Sequence, residues 1–326
     1  MIVAVTGASG LVGSAAVAKL SQSGIRSRCI VRHERGLLNT NDPNIEIVEA
    51  DVLDLPGLLK SLNGVDAVVH AAGFVSFNPR NRQKIHNVNV QGTTNVVNAC
   101  LELGIPKLVH VSSVAALGRQ RGVKILNEES KWTPGMPSSD YADSKYLAEL
   151  EVYRGMEEGL NVSLVNPSVV LAAGDGKRSS SQLFTYVWKE HSFYANFILN
   201  YVDVRDVSTM IERLLGKEFN GERFIACGGN VELGEAFQMI GRRLNKKAPS
   251  IAVPAGLVKI AASFEKWRSL LAGSEPIVTR QTAMFLKERI VFENTKAEKV
   301  LGMKFQSLEN TLNWCCESFK STNTNK

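Results

Sequence analysis

The stretch "VTGASGLVG", from Val5 to Gly13, constrains this chain more than any other. Its glycines, Gly7, Gly10 and Gly13, follow "MIVAVT", a short apolar run rich in β-branched residues. They precede "LVGSAAVAKLSQSG", which has helical spacing and closes at Gly24. A strand that ends in a tight glycine turn lets the backbone approach a pyrophosphate. The helix that follows offers free N–H groups and the positive end of its dipole. The turn therefore predicts a phosphate-binding strand–turn–helix unit, with Gly7, Ser9, Gly10, Leu11, Val12 and Gly13 as its contacts. A helix-packing turn with no ligand is the other reading of these residues.

The N-terminal half goes on alternating two periods. "SRCIVR", "IEIVEAD", "DAVVHAAG" and "KLVHVSS" are strand runs, and a long helical segment between His86 and Leu103 precedes the last of them. Strands alternating with helices predict an α/β fold, a doubly wound parallel (Rossmann) sheet covered on both faces. Tyr141 to Met156 reads as a further helix and "NVSLVNP" as another strand. After Pro167 the pattern changes. "SVVLAAGDGKRSSS" reads as a loop, "SQLFTYVWKE" as a short helix, and "NYVDVRDVSTMIERLLG" as a strand running into a helix. Helices are expected over 233–244, 255–271, 278–286 and 296–301, with strands at "SIAVP" and "RIVF" and a frayed tail at "STNTNK". The expected division is a Rossmann domain over 1–166, to which 200–226 returns, and a smaller, mainly helical substrate-binding part formed by 167–199 and 227–326.

Composition narrows the function classes. The chain has 326 residues, 44% hydrophobic and 21% charged, enough for a full core in one large domain or two. The net charge of +6 is spread along the chain without a basic run, which argues against a nucleic-acid partner. Cys29, Cys100, Cys227, Cys315 and Cys316 have no metal spacing and give no disulfide framework. The histidines show no ligand spacing either, so no metal is expected. His70 and His110, inside apolar strand runs, read as satisfied core residues. No apolar run reaches the ~18 residues of a membrane span, and the first residues lack a signal-peptide pattern. The expectation is a cytoplasmic protein.

Two features suggest chemistry. The second strand ends "CIVRHERG", with Arg32 where dinucleotide folds commonly place an acid for the ribose 2′-hydroxyl. A guanidinium can bind a 2′-phosphate with two parallel bonds, which favours NADP over NAD. The alternative leaves Arg32 in solvent and turns Glu34 towards the ribose. "SSDYADSKYLAE" holds Tyr141 and Lys145 four apart, on one face of a helix. A free tyrosine has a pKa of about 10, and a neighbouring ammonium favours the phenolate. Alone, this pair is equally a solvated helix face. Ala71, Ala72 and Gly73 close the fourth strand with small residues, against which a ribose and nicotinamide can lie.

The spacing Gly-x-x-Gly-x-x-Gly, the Tyr-x-x-x-Lys pair, "VHVSSVAALG" upstream of it and "VNPSVV" downstream resemble the short-chain dehydrogenase/reductase superfamily. The match is to its extended branch, the NAD-dependent epimerase/dehydratase family. The resemblance runs from Ile2 to about Leu312 and is strongest up to Val207. "HAAGFVSFNP" and "NPSVVLAAGDG" look most like the dihydroflavonol-4-reductase-like group and its sterol-dehydrogenase relatives, and less like sugar-nucleotide epimerases. One departure is Ala172-Ala173-Gly174, where the family commonly has Gly-Pro-Gly. The resemblance implies that Tyr141 is the general acid/base, Lys145 its partner and ribose ligand, and Ser113 the catalytic serine, with Ser112 on the cofactor side. It also implies that Asn89 supports the site, that Asp51 and Val52 lie at the adenine, and that Asn166, Pro167 and Val170 pass over the nicotinamide. Asp51 could equally close a turn, and Asn89 could equally pack a helix. A homodimer through the long helices of the first domain is a further implication.

Phe74, Val75 and Phe77 follow the fourth strand beside the predicted nicotinamide. Phe184, Tyr186, Trp188, Phe193 and Tyr194 lie in the variable cap. They suit an apolar carbonyl substrate, though core packing accounts for them as well. Arg178, with Lys177, offers charge for an anionic substrate group, or is a solvated loop. The leading expectation is hydride transfer between a nicotinamide and a carbonyl or alcohol carbon of a small, largely apolar molecule. The alternatives are a nucleotide-sugar epimerase or dehydratase with tightly held NAD, and a non-catalytic NADP-binding sensor.

Overall fold

The computed structural model describes residues 1–32, 41–119, 122–136, 138–174, 179–254 and 289–324. The helices expected over 255–271 and 278–286 lie outside the described residues, as does Glu34.

Seven strands form the main sheet: β1 (Ile2–Thr6), β2 (Arg26–Val31), β3 (Ile45–Glu49), β4 (Ala67–His70), β5 (Lys107–Val111), β7 (Asn161–Pro167) and β11 (Glu222–Ala226). Their order is β11-β7-β5-β4-β1-β2-β3 and every pairing is parallel. Alternate residues of the central strands feed two cores. Val3, Val5, Cys29, Val69, Val109 and Val111 face one side. Ala4, Ile30, Val68, Leu108 and Leu164 face the other. This two-sided burial explains why the strands read as unbroken apolar runs.

The first core is closed by α1 (Leu11–Gln22), α7 (Val204–Arg213) and α9 (Thr295–Leu301), through residues such as Val17, Leu20, Val207, Met210 and Leu301. The second is closed by α2 (Leu55–Leu62), α4 (Gly92–Glu102) and α5 (Asp140–Glu157), through Leu58, Val96, Val97 and Val152. The helix entering α4 begins as α3 (Arg82–His86) and passes through a π-helical turn, Asn87–Gln91. Helical π-bulges of this kind often mark functional sites.

A third core is built from residues that follow Pro167. The stretch after Pro167, expected as a loop, instead contains β8 (Val169–Leu171). It pairs parallel with β10 (Ile198–Asp203), which pairs antiparallel with β12 (Gly229–Glu232). A free edge on β10 is enough to order three residues as strand, a long-range cause that local composition does not carry. Around this sheet lie α6 (Gln182–Trp188), α8 (Leu233–Leu244) and α10 (Leu308–Thr324), joined through Phe184, Phe237, Leu312, Cys316 and Phe319. Helix α10 was not expected and extends into the tail read as frayed. Two smaller parallel pairs join β6 (Ile125–Leu126) to β14 (Val291–Phe292), and β9 (Phe193–Ala195) to β13 (Ile251–Val253). Among the described residues no helix is long and apolar enough to cross a membrane.

Candidate active site

Parallel strands end on one edge, and the sequence-selected residues follow those ends. The glycine turn leaves β1, Arg32 leaves β2, Asp51 follows β3, Ala71 to Gly73 follow β4, Ser112 and Ser113 follow β5, and Asn166 and Pro167 close β7. This is the edge at which open α/β sheets bind ligands.

Steric contacts make the glycine turn close to obligatory. Gly7 has φ +66°, and a methyl there would stand 2.6 Å from the backbone of Ala72. A methyl at Gly13 would stand 2.2 Å from the Gly7 carbonyl oxygen. The turn thus presses β1, the β4 exit and the start of α1 together, with Gly10 N donating to Gly7 O at 2.9 Å. Helix α1 has no side-chain cap and no acid in its first turn, so no group of its own competes with an anion there. Ser9, Leu11 and Val12 are partly exposed along this turn.

Asn89, buried in the π-helical turn, clamps the loop after β4. Its Oδ1 accepts from Phe74 N at 2.7 Å, and its Nδ2 donates to Phe74 O at 3.0 Å and to Ser144 Oγ at 2.9 Å. Ser144 Oγ donates in turn to the Tyr141 carbonyl at 2.7 Å. Behind this clamp runs a chain of polar groups that sequence reasoning missed. Thr93 Oγ1 donates to the Asn89 carbonyl at 2.6 Å, so it accepts from His70 Nε2 at 3.0 Å. That leaves His70 Nδ1 to accept from Thr6 Oγ1 at 2.7 Å. The hydroxyl directions therefore fix the neutral tautomer. His70 is satisfied at both ends, as expected of a core histidine. His110, its neighbour at 5.2 Å between ring centroids, is not: both its nitrogens are buried without a hydrogen-bond partner. Burial and the Lys145 charge push His70 down to about 3 and His110 well below the ordinary histidine range.

Helix α5 starts where the Ser139 hydroxyl accepts from Ala142 N at 3.1 Å. This cap puts Tyr141 in the first turn and Lys145 one turn later. The Ser113 side chain lies beside the Tyr141 phenol, near enough to favour its phenolate. Ser113 also caps the short turn Val114–Ala116, its hydroxyl accepting from Ala115 N at 3.1 Å. Lys145 is buried and donates to Val111 O at 2.9 Å. A methyl on Gly73 would lie 3.7 Å from its ammonium and 3.5 Å from Asn89 Oδ1, so Gly73 leaves that corner open. Burial pulls Lys145 down to about 8, while Glu149 opposes the fall. Burial also raises the Tyr141 phenol, and the neighbouring Ser113 hydroxyl opposes the rise. The lowering of the phenol expected from the ammonium is not found: burial raises it, and the opposing influence is Ser113.

Asn166 ties this group to β7. Its Nδ2 donates to Ser113 O at 2.9 Å and to Glu149 Oε1 at 2.6 Å. Ser112 Oγ is buried with no partner. Asp51 Oδ1 accepts from Leu53 N at 3.0 Å, which closes a turn, and Asn95 Nδ2 donates to Val52 O at 2.9 Å. Arg32 is exposed at the end of β2. Val170 lies in β8, its carbonyl accepting from Ser180 Oγ. Phe77 meets the Tyr141 ring edge-on at 6.1 Å, and Phe74 carries the Lys84 ammonium 4.5 Å above its ring. Of the cap aromatics, Phe184 is core, and Tyr186, Trp188 and Tyr194 pack on Phe237 or Phe319. Arg178 and Lys177 lie outside the described residues. Asn95, Ser144 and Glu149 were not anticipated, although Glu149 continues the helical face of Tyr141 and Lys145 at the same spacing of four.

These residues fit a nicotinamide dinucleotide. The uncapped, acid-free start of α1 suits its pyrophosphate, and the orphaned Ser112 hydroxyl and the corner at Gly73 suit its ribose and ring.

Comparison with known proteins agrees. The model of the NAD dependent epimerase/dehydratase family matches residues 3–226. The chain is 27% identical over 314 residues to a putative dihydroflavonol 4-reductase of Synechocystis, covering 94% of this chain and 91% of that one. It is 27% identical over 262 residues to sterol demethylase protein B of Methylococcus capsulatus, covering 79% of each. The crystal structure of gox2253 is 31% identical, with a TM-score of 0.84 over 99% of this chain and 98% of that one. The chain belongs to the NAD-dependent epimerase/dehydratase family and is an enzyme of the extended short-chain dehydrogenase/reductase type.

Proposed function

We propose that this enzyme is an NADP-preferring oxidoreductase that interconverts a carbonyl and an alcohol on a small, largely apolar substrate. The observation that carries the reading is the placement of the Ser113 hydroxyl beside the Tyr141 phenol, with Lys145 one helical turn away at the open corner by Gly73. Bound nicotinamide supplies or accepts the hydride. The start of α1 and the glycine turn receive the pyrophosphate, and Arg32 takes the 2′-phosphate. The Lys145 ammonium holds ribose hydroxyls. In reduction, the Tyr141 hydroxyl gives its proton to the substrate oxygen, which the Ser113 hydroxyl also holds. The phenolate left behind is stabilised by Ser113 and by the Lys145 charge. Phe77, edge-on to Tyr141, and the exposed Val75 two residues before it offer an apolar wall for the substrate. Arg178 remains a proposed substrate contact.

A panel of apolar ketones and of nucleotide sugars, followed by NADPH absorbance, tests this reading. Tyr141→Phe should lower kcat by about 10²-fold or more while leaving the cofactor Kd unchanged. Turnover that survives the substitution rules out the proton donor. A purified protein that carries bound NAD and converts a nucleotide sugar without added cofactor replaces the reading with an epimerase. Arg32→Ala should weaken NADPH relative to NADH by about tenfold, the loss of one charge-assisted contact. An unchanged ratio removes the argument for NADP.

A further inference from the structure

Beneath the tyrosine and lysine lies a buried acid to which the proposed reaction gives no part. Glu149 continues the α5 face one turn beyond Lys145 and is 1% exposed. Its Oε1 accepts from Asn166 Nδ2 at 2.6 Å, and that same nitrogen donates to the carbonyl of Ser113 at 2.9 Å. Its other oxygen faces the Arg223 guanidinium of β11 at 3.3 Å. Arg223 is itself held by Tyr153 Oη, at 3.3 and 3.2 Å from Nε and Nη2.

We propose that Glu149 is a positioning residue for the reaction: one turn beyond Lys145 on the buried face of α5, its carboxylate is the counter-ion of that ammonium and, through Asn166, fixes the backbone of Ser113. The proposal rests on the assignment of Tyr141, Ser113 and Lys145 made above.

The surroundings of the ammonium explain why one carboxylate matters. Facing it are the imidazoles of His70 on β4 and His110 on β5, both held neutral by burial, and on its own helix Tyr141 and Glu149. Among the described residues in this group, Glu149 is the one anion. Burial works against the charged lysine, and Glu149 is what opposes it. Around Glu149 itself stand Arg223 of β11 and, on α5, Lys145 and Tyr153. Glu128 and Glu222 act on the Arg223–Tyr153 pair. A buried ion pair is also a common structural seam, here between α5 and β11. Removing one partner leaves the other charge unpaired and costs stability for that reason alone.

The test separates the two roles without using turnover. Lysine side chains labelled with carbon-13 are titrated by NMR in the wild type, Glu149→Gln, Arg223→Gln and the double variant. The Lys145 signal is identified by its loss in Lys145→Met. In Glu149→Gln the Lys145 midpoint should fall by about one pH unit, a tenfold change in its proton affinity. The double variant pairs two amides and should recover denaturation stability, yet keep the lowered midpoint. Arg223→Gln, which retains the carboxylate, should not lower it. A midpoint unchanged in Glu149→Gln overturns the proposal. So does one that returns to the wild-type value in the double variant together with stability. If Glu149→Gln does not fold, the double variant carries the same reading. Because the titration needs no substrate, it stands or falls separately from the Tyr141→Phe result.

Discussion

A methyl group at Gly13 has nowhere to go: the nearest atoms are the backbone oxygen and carbon of Gly7, at 2.2 and 2.8 Å. Backbone on both sides cannot rotate away as a side chain would. Gly13→Ala should therefore destabilise the protein by about 3 kcal/mol or more, at the upper end of overpacking costs. Urea denaturation measures this, and a loss under about 1 kcal/mol would mean that the turn can open. At this scale the sequence was most informative where a residue's chemistry is set by its neighbours in the chain. The glycines of the turn, and Tyr141 with Lys145, declare themselves by spacing. The chain from Thr6 through His70 and Thr93 to Asn89 does not, because its members come from β1, β4 and one helix. Only the register of the sheet brings them within 3.0 Å of each other. His110 shows the same limit in reverse. Inside an apolar run it looks like any core histidine, and its two unpartnered nitrogens become visible only in the fold.

Helix α5 carries Tyr141, Lys145 and Glu149 on one face, so its proton affinities set the pH profile. Burial holds the phenol in its protonated form well above neutrality, the form a proton donor needs. Lys145 has a midpoint of about 8 and loses its charge above it. For reduction, kcat/KM should thus be level through neutral pH and decline above about pH 8, since it reports the free enzyme's groups. The decline should begin at lower pH in Glu149→Gln. A profile that stays level well past pH 8 would mean that the lysine charge is not required. Helix α5 was legible because its Ser139 cap and its face lie within one segment. Helix α10 also bears an apolar stripe, Leu308, Leu312, Cys315, Cys316 and Phe319, at helical spacing. Its polar last turn obscured that stripe. Strand β8 gave no such signal, because three residues pair only when β10 is already in place.

Across the whole molecule, the two buried imidazoles make acid the vulnerable direction. His70 has a folded value of about 3, below the roughly 6.5 of an exposed histidine. A depressed folded value means that the unfolded chain binds the proton first. The stability is fully present above about pH 6.5 and is lost as the pH falls through that window. At about pH 5 the loss from His70 alone is about 2 kcal/mol, and His110 adds to it in the same direction. One group acts oppositely. Asp206, whose Oδ2 accepts from Gln306 N at 2.8 Å and so pins the approach to α10 onto α7, is pushed up by burial to about 6. The native state takes up that proton first, which returns about 1 kcal/mol by pH 5. Two imidazoles outweigh one carboxyl, so the urea midpoint should fall between about pH 7 and pH 5. His110→Leu isolates the cause, because its nitrogens make no hydrogen bond to lose and leucine is close to it in size. That variant should gain about 1 kcal/mol at neutral pH, from relief of buried unpartnered nitrogens, and should show a shallower acid decline. Asp206→Asn, which keeps the bond to Gln306, should show a steeper one. An acid decline that is unchanged in His110→Leu would mean that this imidazole takes up its proton within the folded state, and the neutral pair behind Lys145 would no longer hold.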